Sequence, residues 1–250
     1  LQVLKSLVFT PGSVDKSGDV RKLNDIYLSL MNARSTEHIV TYDKPKAGTG
    51  NLVAKTPSIQ NLSKKYRPMI TIGLTDLDIV GSGIAIMVHA FESHGLKCPE
   101  TKRYIGNRER YLRWVDRNDR DKSKKYIEKV FNGGKRAYYR EYNNGRNSIR
   151  EKADDRLVPL FDEFDYLRPL FFQFFGRLPQ YKEVMDAMKN RDMTGKTPAS
   201  TFMATVKDYL QAKCLDAMVD FVGIANVSTL INDGILIRGE VDLKACEDHI

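Results

Sequence analysis

The stretch Arg67-Pro68-Met69-Ile70-Thr71-Ile72-Gly73-Leu74-Thr75-Asp76-Leu77-Asp78-Ile79-Val80-Gly81-Ser82-Gly83-Ile84 decides how this chain is read. After the proline, apolar and small residues alternate as far as Asp78, which is the period of a strand. Gly81-Ser82-Gly83 ends that strand, and the apolar run from Ile84 to His94 predicts a buried helix with Ser82 as its cap and Gly95 at its end. Asp78 therefore closes an apolar strand just before a glycine turn, where an acid is otherwise disfavoured. Asp76 lies two residues earlier, so alternation puts it on the same strand face. Composition does not choose between the two.

A second acid occupies a comparable place. Val227 to Glu240, VSTLINDGILIRGE, reads as two short strands hinged at Asn232-Asp233-Gly234, and the Asp-Gly pair is a strong hairpin signal. An aspartate in such a turn is ordinarily a turn former. Two acids at the ends of apolar strands have a further use if the strands gather in one sheet, because their carboxylates then converge on divalent cations. Hard cations held by oxygen ligands are what in-line nucleotidyl transfer requires: one lowers the pKa of the attacking hydroxyl and the other stabilises the leaving group. Basic side chains then neutralise the phosphates.

The 250 residues are enough to bury one sizeable core, or two small ones, without covalent staples. Cys98, Cys214 and Cys246 are odd in number, widely spaced and without a CxxC pair, so neither a disulfide framework nor a zinc site is indicated, and a reduced intracellular setting is expected. Cys214 falls in an apolar helical run and reads as core. His38, His89, His94 and His249 have no ligand-like spacing. The longest apolar stretches, Ile84 to Ala90 and Leu167 to Phe175, fall well short of the ~20 residues that cross a bilayer. The opening LQVLKSLVFTPG lacks the features of a secretory signal, so a soluble protein is expected.

The formal net charge of +8 is unevenly placed: Thr101 to Arg150 holds sixteen Lys or Arg against six Asp or Glu. Tyr104, Tyr111, Trp114, Tyr126, Phe131, Tyr138, Tyr139 and Tyr142 run through the same stretch. Cations for phosphates interleaved with flat rings for bases suit nucleic acid. Arg108, Arg110, Arg113, Lys124, Lys125, Lys135 and Arg136 are the candidate contacts. The same composition also fits a solvated helical region whose aromatics face the core.

Elsewhere, Asp19 to Ala33 carries an amphipathic helical stripe and Lys44 to Pro57 reads as a mobile loop. Turns are expected at Asn132-Gly133-Gly134 and Asn143-Asn144-Gly145. Asp155 to Phe175 is apolar and aromatic, with helices expected to bend or break at Pro159 and Pro169. Pro179 starts a further helix to about Lys189, and Pro198 another through Asp220.

The sequence Asp78-Ile79-Val80-Gly81-Ser82-Gly83-Ile84 resembles the first catalytic motif of phage-type single-subunit DNA-dependent RNA polymerases: an Asp, three residues, then Ser-Gly and an apolar residue. That spacing favours Asp78 over Asp76. Ile231-Asn232-Asp233-Gly234-Ile235 resembles the family's third motif, with Asn232 in place of the usual His. Arg191-Asp192-Met193-Thr194-Gly195-Lys196-Thr197-Pro198 resembles the second, although Arg191 lies five residues before Lys196 instead of four and Ala204 stands where a Tyr is expected. Ala85 and Ile86 replace the Gln and His that usually follow the first motif.

The resemblance implies that Asp78 and Asp233, 155 positions apart, are catalytic and bind two Mg²⁺. It further implies that Gly83 leaves room for a ribose 2′-hydroxyl and that Arg191 and Lys196 hold the triphosphate. A DNA template, an RNA product and nucleoside triphosphates are the implied partners, in a bacterial host cytoplasm. The family's upstream Asp- or Thr-x-x-Gly-Arg element is not found, so the chain reads as the catalytic large subunit of a split heterodimeric phage enzyme whose second subunit supplies that element. The expected fold is α+β: a palm with a small antiparallel sheet carrying the catalytic Asp residues, surrounded by mostly helical, fingers-like segments. Residues 1–67 are expected as an N-terminal helical and loop segment and 68–100 as palm with the first motif. Residues 101–225 are expected as the fingers-like, basic, nucleic-acid-facing region, and 226–250 as the palm hairpin. Two readings stay open beside this one: a related DNA polymerase or primase palm, and a non-catalytic nucleic-acid-binding protein with a degenerate palm.

Overall fold

The structure is a computed structural model that describes residues 18, 21–26, 28, 40–44, 50–62, 66–69, 71–79, 81–134, 136, 138–142, 147–151, 154–189, 196–231 and 234–250. Met69, Ser82 and residues 138–142 and 147–151 are described by their backbone alone. The fold is mixed α+β with small antiparallel sheets. In chain order its strands are β1 (Tyr42–Asp43), β2 (Val53–Ala54), β3 (Leu74–Asp78), β4 (Tyr138–Tyr142), β5 (Asn147–Glu151), β6 (Val227–Ile231) and β7 (Gly234–Arg238). The helices are α1 (Ser82–Ser93), α2 (Pro99–Gly106), α3 (Arg108–Val115), α4 (Arg120–Phe131), α5 (Val158–Phe175), α6 (Lys182–Met188), α7 (Pro198–Val222) and α8 (Leu243–His249). Among the described residues no helix is long and apolar enough to cross a membrane.

The chain forms two compact units, one of residues 1–46, 50–79 and 212–250, the other of 47–49 and 80–211. The boundary after Ile79 separates β3 from α1, which the sequence groups together in 68–100, and the boundary at 211 falls within α7.

The first unit is built on a three-stranded sheet of order β3-β7-β6, antiparallel throughout. The strand expected from Arg67 onward is shorter than its apolar pattern: Arg67–Met69 is a 3-10 turn, and Gly73 at φ 79° redirects the chain before Leu74. Along β3, Leu77 is buried while Asp76 and Asp78 are exposed, as period-two alternation requires. Leu77, Ile235 and Ile237 share the opposite face with Leu215 and Met218 of α7 and Cys246 of α8. Central strand β7 is buried from Gly234 to Ile237, as expected of a strand paired on both sides. Within the segment read as a loop from Lys44 to Pro57, Val53–Ala54 pairs with Tyr42–Asp43. The described part of the expected first helix, 21–26, is helical and buries Leu23 and Ile26.

The second unit is chiefly helical, with the antiparallel pair β4–β5 as its described sheet. Its core is aromatic: Phe91, Phe131, Phe161, Phe164, Phe171 and Phe202 are each at most 1% exposed. Edge-on pairs such as Phe91–Phe171 at 5.3 Å and Phe131–Phe164 at 4.9 Å set opposite ends of the ring quadrupoles together. Helix α5 runs unbroken through both prolines. Pro159 sits in the first turn, where a missing N–H costs nothing. Pro169 removes one internal bond, but Phe164, Leu167 and Phe171 are sunk in the core on either side of it and hold the helix. Glu163 of α5 accepts bonds from the Glu100 and Thr101 amides and the Thr101 hydroxyl at 3.0, 2.7 and 2.6 Å, satisfying the start of α2. Helix α1 starts one residue earlier than its sequence suggests: Gly81, at φ 71°, is the N-cap and Ser82 is the first helical residue.

Candidate functional site

In the first unit, Asp78 is the last residue of β3 and pairs with Gly234, the first residue of β7. Gly234 also pairs with Ile231 across the β6–β7 hairpin, whose two connecting residues are Asn232 and Asp233. Asp233 itself lies outside the described residues. The register thus sets the exposed carboxylate of Asp78 at the sheet end from which the hairpin loop departs. Gly234 is required there for a reason the turn reading misses. A Cβ on it would stand 2.7 Å from the Leu77 carbonyl oxygen and 3.2 Å from Asp78 Cα, so a side chain would force the two strands apart.

Directly paired residues project to one face of an antiparallel ladder. Asp76 with Leu236, and Asp78 with Gly234, therefore define a face distinct from the apolar one of Leu77, Ile235 and Ile237. Thr229 belongs to the same face through its pairing with Leu236. Tyr42 of β1 anchors this side of the sheet: its hydroxyl is hydrogen-bonded to Thr229 Oγ1 at 2.6 Å, where either can donate, and accepts from the Leu230 amide at 3.1 Å. Nothing in the local sequence marks Tyr42, because its partners lie some 187 positions away.

Among the described residues no three His, Cys, Asp or Glu side chains gather as a metal cage. Mg²⁺ does not need one, since it is commonly held by one or two carboxylates with water and substrate phosphates completing its shell. An exposed aspartate on a paired strand is a donor of that kind, with Asp78 at the end of β3 and Asp76 two residues before it as the described candidates.

In the second unit, Gly83 lies in the first turn of α1, and the space over it is occupied. A Cβ there would meet Lys207 Cδ of α7 at 2.9 Å, with Cγ and Cε at 3.6 and 3.8 Å. The Arg108 guanidinium lies against Gly81, 3.5 Å from the corresponding position. Burial pushes the neighbouring Tyr104 phenol up, with Arg108 drawing it partly back.

The basic stretch splits into distinct roles. Tyr104, Tyr111, Tyr126 and Phe131 are buried in the core, so they are not open platforms for bases; helical spacing turns them inward. Trp114 is half-buried, with Arg110 at 5.1 Å and Arg156 at 4.9 Å from its ring centroid, both within cation–π range. Arg113 and Lys125 are exposed, and Lys124 faces Glu128 at 3.8 Å. Arg136 is tied to Asp162 and Asp165 and lies over the Phe161 ring, which makes it a structural cation. Arg120 is likewise bound to Glu109 and holds that carboxyl below its usual range. Lys196 is exposed just ahead of α7. Arg191 and Lys135 lie outside the described residues. Lys207 and Arg156 are the cations that motif spacing misses, since only tertiary packing brings them to Gly83 and Trp114. The chain matches no protein-family model, no curated protein and no solved structure.

Proposed function

We propose that the chain is the catalytic subunit of a template-directed nucleotidyl transferase, a DNA-dependent RNA polymerase whose palm is the β3-β7-β6 sheet. The observation that carries this reading is the register of Asp78 with Gly234, which makes the first acidic motif and the acidic hairpin neighbours across one ladder although they are 155 positions apart in sequence. Asp78 and Asp233 would hold Mg²⁺, which when bound activates the primer hydroxyl and stabilises the departing pyrophosphate. The role of the sheet is to keep the Asp78 carboxylate on a strand end that does not reorganise as charge develops. Lys196 and Arg191 would neutralise the triphosphate. The exposed Arg110, Arg113 and Lys125 would hold template and product through their phosphates, and that binding would weaken steeply with salt. A second polypeptide supplying the remaining nucleic-acid contacts belongs to this reading, as does a bacterial cytoplasm as its setting.

The test is Mg²⁺-dependent primer extension on a DNA template with ribonucleotides or deoxyribonucleotides, for the wild type and for Asp78→Ala and Asp233→Ala. Ribonucleotide extension abolished by either substitution is the expected result. Salt-sensitive DNA binding that survives both substitutions, with no synthesis by the wild type in Mg²⁺ or Mn²⁺, would instead identify a non-catalytic nucleic-acid-binding protein. Equal or preferred deoxyribonucleotide use would move the assignment to a DNA polymerase.

A further inference from the structure

We propose that the first unit carries a nucleobase site in a cleft of about 310 Å³ lined by Asn51, Leu52, Val53, Gln60 and Asn61, with Asn51 Oδ1 accepting from an N–H of the base. The cleft lies within one compact unit and uses no residue assigned to catalysis, so it stands or falls apart from the polymerase reading.

The lining decides the chemistry. Among the described residues it contains three carboxamides, two aliphatic side chains and no charge, which suits a neutral ligand with a polar edge and an apolar face. A base is such a ligand, whereas a sugar is polar around its whole rim. Asn51 Oδ1 is shut off from solvent and has no hydrogen-bond partner. An orphaned buried acceptor is costly and calls for a donor. The terminal torsion of an asparagine is broad, so its carboxamide turns towards the cleft it lines without leaving a staggered well. A base edge on which an N–H adjoins an acceptor then meets both ends of the carboxamide, the geometry by which Asn and Gln pair with adenine.

A peptide offers a similar donor and acceptor, but strand pairing closes the usual route for it. The Lys55 amide donates to the Thr41 carbonyl, so alternation points the Leu52 carbonyl and the Ala54 N–H of β2 away from β1. Gln60, in the 3-10 turn Ile59–Asn61, takes both: Oε1 accepts from the Ala54 amide at 2.7 Å and Nε2 donates to the Leu52 carbonyl at 2.9 Å. A side chain thus fills the edge that an added strand would pair with. Asn61 is held in turn, its Oδ1 accepting from the Ser58 hydroxyl at 2.6 Å and its carbonyl from Lys22 Nζ at 2.8 Å.

The experiment is an amide NMR titration of the whole chain, wild type and Asn51→Leu, with adenosine, uridine and their base-methylated forms N6,N6-dimethyladenosine and 3-methyluridine. The expected result is a response at residues 50–62 and binding weakened about tenfold or more by methylation, which removes the N–H. In Asn51→Leu that methylation effect should vanish, and thermal unfolding should show a folded protein, since an apolar group of similar shape replaces an orphaned polar one. Should Asn51→Leu not fold, the methylation comparison in the wild type decides alone. A short adenylate strand binding more tightly than adenosine at the same amides supports a base of single-stranded nucleic acid as the ligand, and equal affinity supports a free nucleoside or nucleotide. No response at residues 50–62 to any nucleoside, no effect of methylation, or an effect that persists in a folded Asn51→Leu overturns the proposal. A response to a blocked dipeptide amide and to no nucleoside overturns it in favour of a peptide site.

Discussion

The backbone of Gly234 lies so close to Asp78 that a Cβ on the glycine would come within 3.3 Å of the aspartate's own Cβ and 2.7 Å of the preceding carbonyl oxygen. The obstacle is backbone on the neighbouring strand, which cannot swing aside as a side chain can. Gly234→Ala is therefore expected to destabilise the first unit by about 1–3 kcal/mol, the range for overpacking a tight site. Urea unfolding of the variant measures this, and a loss below about 0.5 kcal/mol would show that the strands tolerate the methyl group. Primer extension by the same variant should fall further than stability does, because the displaced strand end carries Asp78.

Tyr42 is bonded to the β6 strand through its hydroxyl. Tyr42→Phe keeps the ring and removes the bonds to Thr229 and to the Leu230 amide. A loss of about 1–2 kcal/mol is expected from chemical denaturation, since the Leu230 amide is left without this acceptor. Amide hydrogen exchange at Leu230 should accelerate in the variant, and unchanged protection there would remove the anchoring role.

Glu163 serves the start of α2 with three accepted bonds, two of them from Thr101, which is fully buried. Glu163→Ala strands these donors and is expected to cost about 2–3 kcal/mol. Glu163→Gln retains an acceptor oxygen and should cost distinctly less. Equal losses in the two variants, read from denaturation midpoints, would mean that packing matters at this position and hydrogen bonding does not.

The alkaline limb of stability has an identifiable source. Burial, with Glu163 and Glu92 nearby adding to it, pushes the Cys98 thiol from its ordinary 9.0 up to about 11. A raised pKa means that the folded state favours the protonated form, so its contribution is fully present below pH 9 and is lost as the pH rises through about 11. Burial likewise raises the Tyr126 and Tyr181 phenols to about 12, extending the same sign to higher pH. Between about pH 8 and pH 10.5 the wild type should lose up to about 2 kcal/mol more than Cys98→Ala does. Parallel pH profiles for the two proteins would rule out Cys98 as the source.

Much of the architecture was legible because it is written at short range. Alternation put Asp76 and Asp78 on one face, Asn232-Asp233-Gly234 located the hairpin, and Pro198 marked the start of α7 to the residue. Other local signals misled where packing overrides them. Pro169 does not end α5, because buried neighbours on both sides outweigh one lost hydrogen bond. The alternation from Arg67 onward does not make a strand before Leu74, because Gly73 turns the chain first.

The sequence by itself determined that the chain is α+β, that Asp78 closes an apolar strand, that an Asn-Asp-Gly turn joins two more and that its positive charge is concentrated in 101–150, since periodicity, turn chemistry and composition act over a few residues. Only the tertiary structure decided that β3 pairs with β7, that Tyr104, Tyr111, Tyr126 and Phe131 face the core, that Arg136 is bound to two aspartates and that Lys207 closes over Gly83. Each of these depends on where residues distant along the chain come to rest, and that is set by the burial of whole faces and the pairing of charges, which no window of sequence contains.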